Sequence, residues 1–116
     1  MANKMVNDKE LAATQKQLKI KAGVVKRLLK EYNLYKIEAE EQKRTVDKYI
    51  ADGKDEYDVR NQQKILAEAE KMIPDTQKRL GTAVEQLRDI IVASRSTLGS
   101  DEELVKAEEI LEEANI

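Results

Sequence analysis

Residues 11–46 decide the fold, and they read LAATQKQLKIKAGVVKRLLKEYNLYKIEAEEQKRTV. Every seventh position from residue 11 is apolar, and further apolar residues lie three or four positions on, as in a helix that buries one stripe against other helices. Gly23 is the only glycine here and proline is absent, so the pattern predicts one long helix over about residues 9–51. The series is Leu11, Leu18, Val25, Tyr32, Ala39 and Val46, with companions Ala22, Leu28, Leu29, Tyr35, Tyr49 and Ile50. Near Lys36, Gln42 and Lys43 the stripe turns polar, and looser packing is expected there.

A second heptad series follows a turn at Gly53 and predicts a helix over about residues 56–97. Pro74 lies inside it, which leaves two interpretations: one kinked helix, or two helices with a break. We favour the kink, because the heptad phase runs through Pro74 and because Ile73 would be a poor N-cap for a new helix. The series consists of Val59, Leu66, Ile73, Leu80 and Leu87.

A third, short helix is predicted over about residues 101–115, after Gly99 and a capping box formed by Ser100 and Glu103. Because short connections make neighbouring helices antiparallel, we expect an all-α fold, an elongated up-down-up three-helix bundle. It has two long helices, the second kinked at Pro74, and one short C-terminal helix. The length of 116 residues suits a single domain over residues 1–116, with residues 1–13 as a frayed extension.

Composition excludes several classes of function. The chain has no Cys and no His, so disulfides, thiol chemistry, the usual metal ligands and the usual general base are absent. The glycines stand apart and form no phosphate loop, and adjacent acidic pairs point away from each other. We therefore expect no enzyme, no cofactor and no metal. No apolar run of about 18 residues or signal peptide is visible, so we expect a cytoplasmic protein that does not enter a membrane.

Charge is segregated although the net charge is only −2. Residues 11–30 hold six basic residues and no acidic one, whereas residues 99–116 hold seven acidic residues and only Lys106 as a base. A basic stripe can indicate nucleic-acid binding. We favour pairing inside the bundle, because helix 3 would lie beside the first half of helix 1. A nucleic-acid partner is not expected, since aromatic residues for base stacking are scarce.

Three apolar residues, Ile20, Leu34 and Ile37, fall on the face of helix 1 away from the stripe. Two alternatives stay open. Drift of the heptad register in a straight helix would turn them inward, or they form an exposed apolar strip, bordered by lysines, that binds a partner protein. The four tyrosines, Tyr57 among them, are predicted to be half-buried packing residues.

Two parts of the chain resemble the tubulin-binding cofactor A family, also called tubulin-specific chaperones A. Residues 17–31 (QLKIKAGVVKRLLKE) resemble the start of the family sequence, and the similarity extends over about residues 15–116. The order of the residues, beyond the heptads that all bundles share, makes this resemblance specific. Residues 57–60 (YDVR), 63–66 (QKIL) and 72–80 (MIPDTQKRL) resemble the central helix of the family sequence, including the proline inside it.

The resemblance implies a tubulin-folding cofactor that binds β-tubulin after chaperonin release, without nucleotide, and holds it before transfer towards the α/β heterodimer. Other tubulin-folding cofactors are further expected partners, and a cytoplasmic, cytoskeleton-associated location is implied. The alternative is a homodimeric coiled-coil scaffold without chaperone activity; the chain is a monomer or a homodimer. Tubulin is strongly acidic, so basic side chains would steer the encounter. We expect the contacts at Lys19, Ile20, Lys26, Arg27 and Lys30 of helix 1 and at Pro74, Asp75, Lys78 and Arg79.

Overall fold

The computed structural model describes residues 8–99 and 101–114. These residues form three helices, α1 (Asp8–Ala51), α2 (Glu56–Leu98) and α3 (Glu102–Ala114), and include no strand. The all-α prediction, with two long helices and a short C-terminal one, is confirmed. Of the extension for which fraying was predicted, residues 8–13 belong to α1, and residues 1–7 lie outside the described residues. None of the described helices has the length and apolar content that a bilayer crossing needs.

The turn between α1 and α2 depends on Gly53, which adopts a φ of 66°. Its amide donates to the Ile50 carbonyl at 3.1 Å, and the Lys54 amide donates to the Tyr49 carbonyl at 3.0 Å. These two bonds satisfy carbonyls that the end of a helix leaves without partners, and the conformation favours glycine because it has no Cβ. The helix end predicted at Gly53 is confirmed.

Helix α2 runs without a break through Pro74. The alternative of two separate helices is therefore wrong. Proline has no N–H, so the Glu70 carbonyl lacks the donor that residue 74 would otherwise supply. Two residues after Pro74, the buried Thr76 hydroxyl donates to the Met72 carbonyl at 2.8 Å, so this buried polar group has a partner.

Contacts within the chain define two compact units, and unit 1 comprises residues 1–29 and 80–116. Its described part contains three helical segments: the start of α1, the end of α2 and all of α3. Three segments can enclose an apolar centre from all sides, and the largest fully buried side chains among the described residues are found here. These side chains are Leu18, Val25, Leu87, Ile91 and Leu104.

Unit 2, Lys30–Arg79, is a hairpin of two helical segments. Its buried residues are Ala39, Val46 and Thr76, while most other residues between the helices are only half-buried. The half-buried Gln42 amide donates to the side-chain oxygen of Gln62 at 2.9 Å and to its backbone carbonyl at 3.0 Å. The polar interruption at Gln42 is thus used for contact between the two helices. Residues 1–116 as a single domain stay a prediction.

Two apolar side chains near the turn differ from the prediction. Tyr57 was expected to be half-buried and Ile50 to join the buried stripe, yet they are 77% and 55% exposed. Both predictions are wrong. The hairpin has only two helices, and near its turn these leave the flanks of the stripe open to solvent, so side chains beside the stripe have nothing to pack against.

Helix α3 begins with a cap at Asp101. The Glu103 amide donates to the Asp101 carboxylate at 2.8 Å, and the Gln15 side chain of α1 donates to the other carboxylate oxygen at 2.7 Å. Asp101 thus satisfies an N-terminal amide of α3 and links α3 to α1. Ser100, the predicted half of the capping box, lies outside the described residues.

We predict that Asp101→Ala lowers the free energy of unfolding by about 1–2 kcal/mol, because it removes both the cap and the bond to Gln15. Gln15→Ala, which removes only the second, should cost less. Urea unfolding followed by circular dichroism measures both values. Equal losses for the two variants would contradict the assignment of Asp101 as the cap.

Candidate partner-binding surfaces

The predicted contact residues of α1 lie on one face of the helix. Lys19 and Ile20 precede Gly23 by one turn, and Lys26 and Arg27 follow it by one turn, so all four surround Gly23 on the helix surface. All four side chains are exposed. We call this set (Lys19, Ile20, Lys26 and Arg27) the basic face. It lies within unit 1, whereas Lys30, also exposed, belongs to unit 2.

The basic face keeps its positive charge at Lys19 and Lys26, which form no ion pair with another described residue. Lys21, in contrast, points towards α2 and donates to the Gln86 side chain at 3.3 Å. No carboxylate of α1 lies between residues 11 and 30. An acidic partner would therefore meet no like charge on this stretch of the helix.

The acidic helix α3 contacts the other helices differently from the prediction. Lys16 and Lys19 border an open cleft with Asp101, Glu102 and Glu103, so basic and acidic residues do lie near each other. One ion pair that joins α3 to another helix is Arg95–Glu108 at 3.7 Å, and Arg95 belongs to α2 and not to α1.

Within α3, Lys106 donates to the Glu102 carboxylate at 3.2 Å, which raises the pKa of Lys106. Because the pKa is raised, any stabilisation is complete below the ordinary lysine pKa and is lost as the pH rises through the folded value. Exposed ion pairs of this kind contribute little to stability.

Ile20, Leu34 and Ile37, for which the sequence left burial or exposure undecided, are exposed. Ile20 in unit 1 is 47% exposed, and Leu34 and Ile37 in unit 2 are 49% and 52% exposed. The alternative in which register drift turns them inward is therefore wrong. Large apolar side chains in solvent are compatible with contact to a partner protein.

The second predicted surface lies on α2 in unit 2. Pro74, Asp75, Lys78 and Arg79 are all exposed, and Asp75 and Arg79 form an ion pair of 3.1 Å. We call these four residues the proline surface. It carries less net charge than the basic face, because Asp75 offsets Arg79.

Sequence reasoning missed two exposed apolar residues of unit 2, Ile65 and Met72. They lie seven residues apart on α2, each immediately before a residue of the heptad series, Leu66 and Ile73. An apolar residue directly before a stripe residue was the available signal: it falls at the edge of a stripe, where a two-helix hairpin leaves it open.

Among the described residues, no three acidic side chains lie close enough to hold a metal ion. Besides the open cleft beside Asp101, unit 1 has a second open cleft, which is bordered by small and apolar residues such as Ala13, Ile90 and Ala93. The two assigned surfaces consist of exposed helix residues, of which Lys19 also borders the first cleft. Such open surfaces suit contact with a macromolecule better than enclosure of a small substrate.

Comparison with known proteins shows the family. A family model described as "Tubulin binding cofactor A" matches residues 13–111. Tubulin-specific chaperone A of Rattus norvegicus is 42% identical over 97 residues, which cover 84% of this chain and 83% of the rat protein.

Solved structures agree. Tubulin folding cofactor A from Arabidopsis thaliana matches with a TM-score of 0.84 and 31% identity, over 90% of this chain and 97% of that one. Human tubulin chaperone cofactor a matches with a TM-score of 0.79 and 37% identity, over 89% and 99% of the two chains. The family model covers well over half of the sequence, and both solved structures match over most of its length, so this chain belongs to the tubulin binding cofactor A family.

Proposed function

We propose that this protein is a tubulin-folding cofactor that binds β-tubulin after its release from the chaperonin and holds it before transfer towards the α/β heterodimer. Membership of the tubulin binding cofactor A family supports a role in tubulin folding. The observation that carries the proposal is the match of the family model over residues 13–111, which include the basic face and the proline surface.

The basic face is the first contact that we assign to β-tubulin. Lys19 and Lys26 are exposed and lack a partner carboxylate among the described residues, and Ile20 adds an apolar side chain between the positive charges. Charges of this sign would steer an acidic partner towards α1 and would weaken in salt. Lys30 and the proline surface are assigned as further contacts of the same partner.

The proposed mechanism is an equilibrium and needs no catalysis. A protein that binds the captured form of β-tubulin stabilises that form by mass action, by a free energy that grows with the logarithm of its free concentration over its dissociation constant. The complex would cover a surface that β-tubulin exposes while it is unpaired. The chain would act in the cytoplasm, at the cytoskeleton, and would pass β-tubulin to other tubulin-folding cofactors.

Native-gel capture tests the proposal. The purified protein is mixed with labelled β-tubulin freshly released from the chaperonin, with α-tubulin and actin as parallel controls. We expect a shifted complex with β-tubulin alone. A folded, helical protein that shifts none of the three would contradict the proposal and would favour the homodimeric scaffold.

Charge reversal tests the assigned surface. We predict that the double variant Lys26→Glu/Arg27→Glu weakens β-tubulin binding roughly tenfold or more at low salt, because it replaces attraction at the basic face by repulsion. The difference from wild type should shrink as salt rises. Binding is measured by titration in the native gel.

The matched control is Lys43→Glu/Arg44→Glu, which makes the same change of charge on exposed residues of α1 in unit 2. It should bind β-tubulin nearly as wild type does. Unchanged affinity and salt dependence in the Lys26/Arg27 variant would contradict the assignment of the basic face.

A further inference from the structure

Gly23 is a glycine that the fold itself does not require. It lies in the interior of α1, is exposed, and does not adopt a positive φ. A Cβ atom built at this position meets no atom within 4 Å. Glycine is less favourable than alanine inside a helix, so the chain bears a cost at residue 23 with no packing reason.

Free space alone does not mark a surface, because Gly81 of α2 is also helical, exposed and open. The two glycines differ in what surrounds them one turn away. Gly81 has Gln77, Lys78, Glu85 and the buried Val84 as its neighbours, a mixture without excess charge. The neighbours of Gly23 are the basic face, with three cations, one exposed isoleucine and no acid.

We propose that Gly23 is the crossing point at which an acidic helix of the tubulin partner packs against α1. This inference rests on the proposed function and deepens it by naming the partner element and its point of contact. Because glycine has no Cβ, the backbone of a second helix can approach α1 more closely at residue 23 than it could if any other residue stood there. Ile20 then contacts an apolar side chain of that helix, and Lys19 and Lys26 reach its carboxylates.

The charges of the basic face define the chemistry of the partner helix. Lys19 and Lys26 lie seven residues apart, on either side of Gly23 along α1. A helix that crosses at Gly23 would satisfy both if it carried Asp or Glu one turn before and one turn after an apolar residue. Because α1 has no acid between residues 11 and 30, such a helix meets only opposite charge from α1 itself. Glu102 and Glu103 border the cleft beside Lys19, so the partner helix's carboxylate near Lys19 would have to approach from the side away from that cleft.

The test compares Gly23→Ala and Gly23→Leu with the matched variants Gly81→Ala and Gly81→Leu. Affinity for chaperonin-released β-tubulin is titrated by native gel, and the melting temperature is followed by circular dichroism.

We expect Gly23→Ala to weaken binding about threefold or more and Gly23→Leu about tenfold or more, since added bulk separates the two helices. The melting temperature should equal or exceed that of wild type, because alanine and leucine favour a helix more than glycine does. The Gly81 variants should lose clearly less affinity than the Gly23 variants, because no helix crossing is assigned at Gly81 and only Lys78 of the proline surface lies one turn away.

Each remaining outcome overturns the inference. Wild-type affinity in both Gly23 variants would do so while leaving the proposed function intact, provided that the wild-type protein captures β-tubulin. Failure of the wild-type protein to capture β-tubulin would remove both. Weaker binding together with a lower melting temperature would show an effect on folding instead, and equal losses in the Gly81 variants would show that the position is not specific.

Discussion

Leu87→Ala is expected to lower the free energy of unfolding by about 2–5 kcal/mol. Leu87 is 0% exposed, at the centre of unit 1, where the start of α1, the end of α2 and α3 come together. Truncation removes apolar contacts and leaves a cavity that helices on three sides cannot easily close. Urea unfolding followed by circular dichroism at 222 nm measures this loss of free energy.

Leu66→Ala is the matched comparison for that loss. Leu66 belongs to the same heptad series, three heptads before Leu87, but it is only half-buried in the two-helix hairpin of unit 2. Because water already reaches its side chain, we expect a loss well below that of Leu87→Ala, under about 2 kcal/mol. Equal losses at the two positions would contradict the difference in packing between a three-segment and a two-segment unit.

Pro74→Ala is expected to raise the free energy of unfolding by about 1–3 kcal/mol. Alanine supplies the N–H that the Glu70 carbonyl lacks and removes the clash of the ring with the preceding turn. The gain is smaller than the full cost of proline in a helix, because proline also restricts the unfolded chain. Thermal and urea unfolding measure the gain.

Gln77→Ala serves as the control for Pro74→Ala. Gln77 is exposed on the same part of α2, so its replacement should change the free energy of unfolding by no more than about 0.5 kcal/mol. A loss of stability in Pro74→Ala would show that the helix depends on the proline, and it would contradict the account of Pro74 as a tolerated cost.

The buried stripe could be predicted from the sequence because it follows from spacing alone. Leu18 and Val25 of α1 are seven residues apart, as are Leu80 and Leu87 of α2, and all four are buried. The bounds of α1 and α2 were predictable for a related reason, since Gly53 and Gly99 are placed where a helix must end with a positive φ.

Exposure at the edges of the stripe could not be predicted, because it depends on how many helices surround each segment. Ile50 and Tyr57 would be covered in a bundle of three helices, but unit 2 contains only two segments. The exposure of Ile20 could not be predicted for a different reason. Whether register drift turns such a residue inward depends on how the helices coil around each other, and the heptad pattern of one chain does not determine this.

The grouping of basic residues on one side of α1 could be predicted from the sequence, but the contacts of the neighbouring helices could not. The run of bases without acids placed the basic face on α1, and the i±3 and i±4 spacing around Gly23 could be read directly. The residues that α3 contacts could not be predicted from the sequence. A general match of basic and acidic segments does not reveal that Arg95 pairs with Glu108 or that Gln15 binds Asp101.

The central claim is that β-tubulin docks on the basic face, and lysine footprinting of the purified complex tests it most directly. The free protein and its complex with β-tubulin are treated with an acetylating reagent, and modification is measured at each lysine by mass spectrometry. Lys43 and Lys54 are exposed and lie outside both assigned surfaces, so they serve as internal controls. We predict that Lys19 and Lys26 become protected in the complex while the two controls keep their reactivity. Undiminished acetylation of Lys19 and Lys26 in a stable complex would contradict the account.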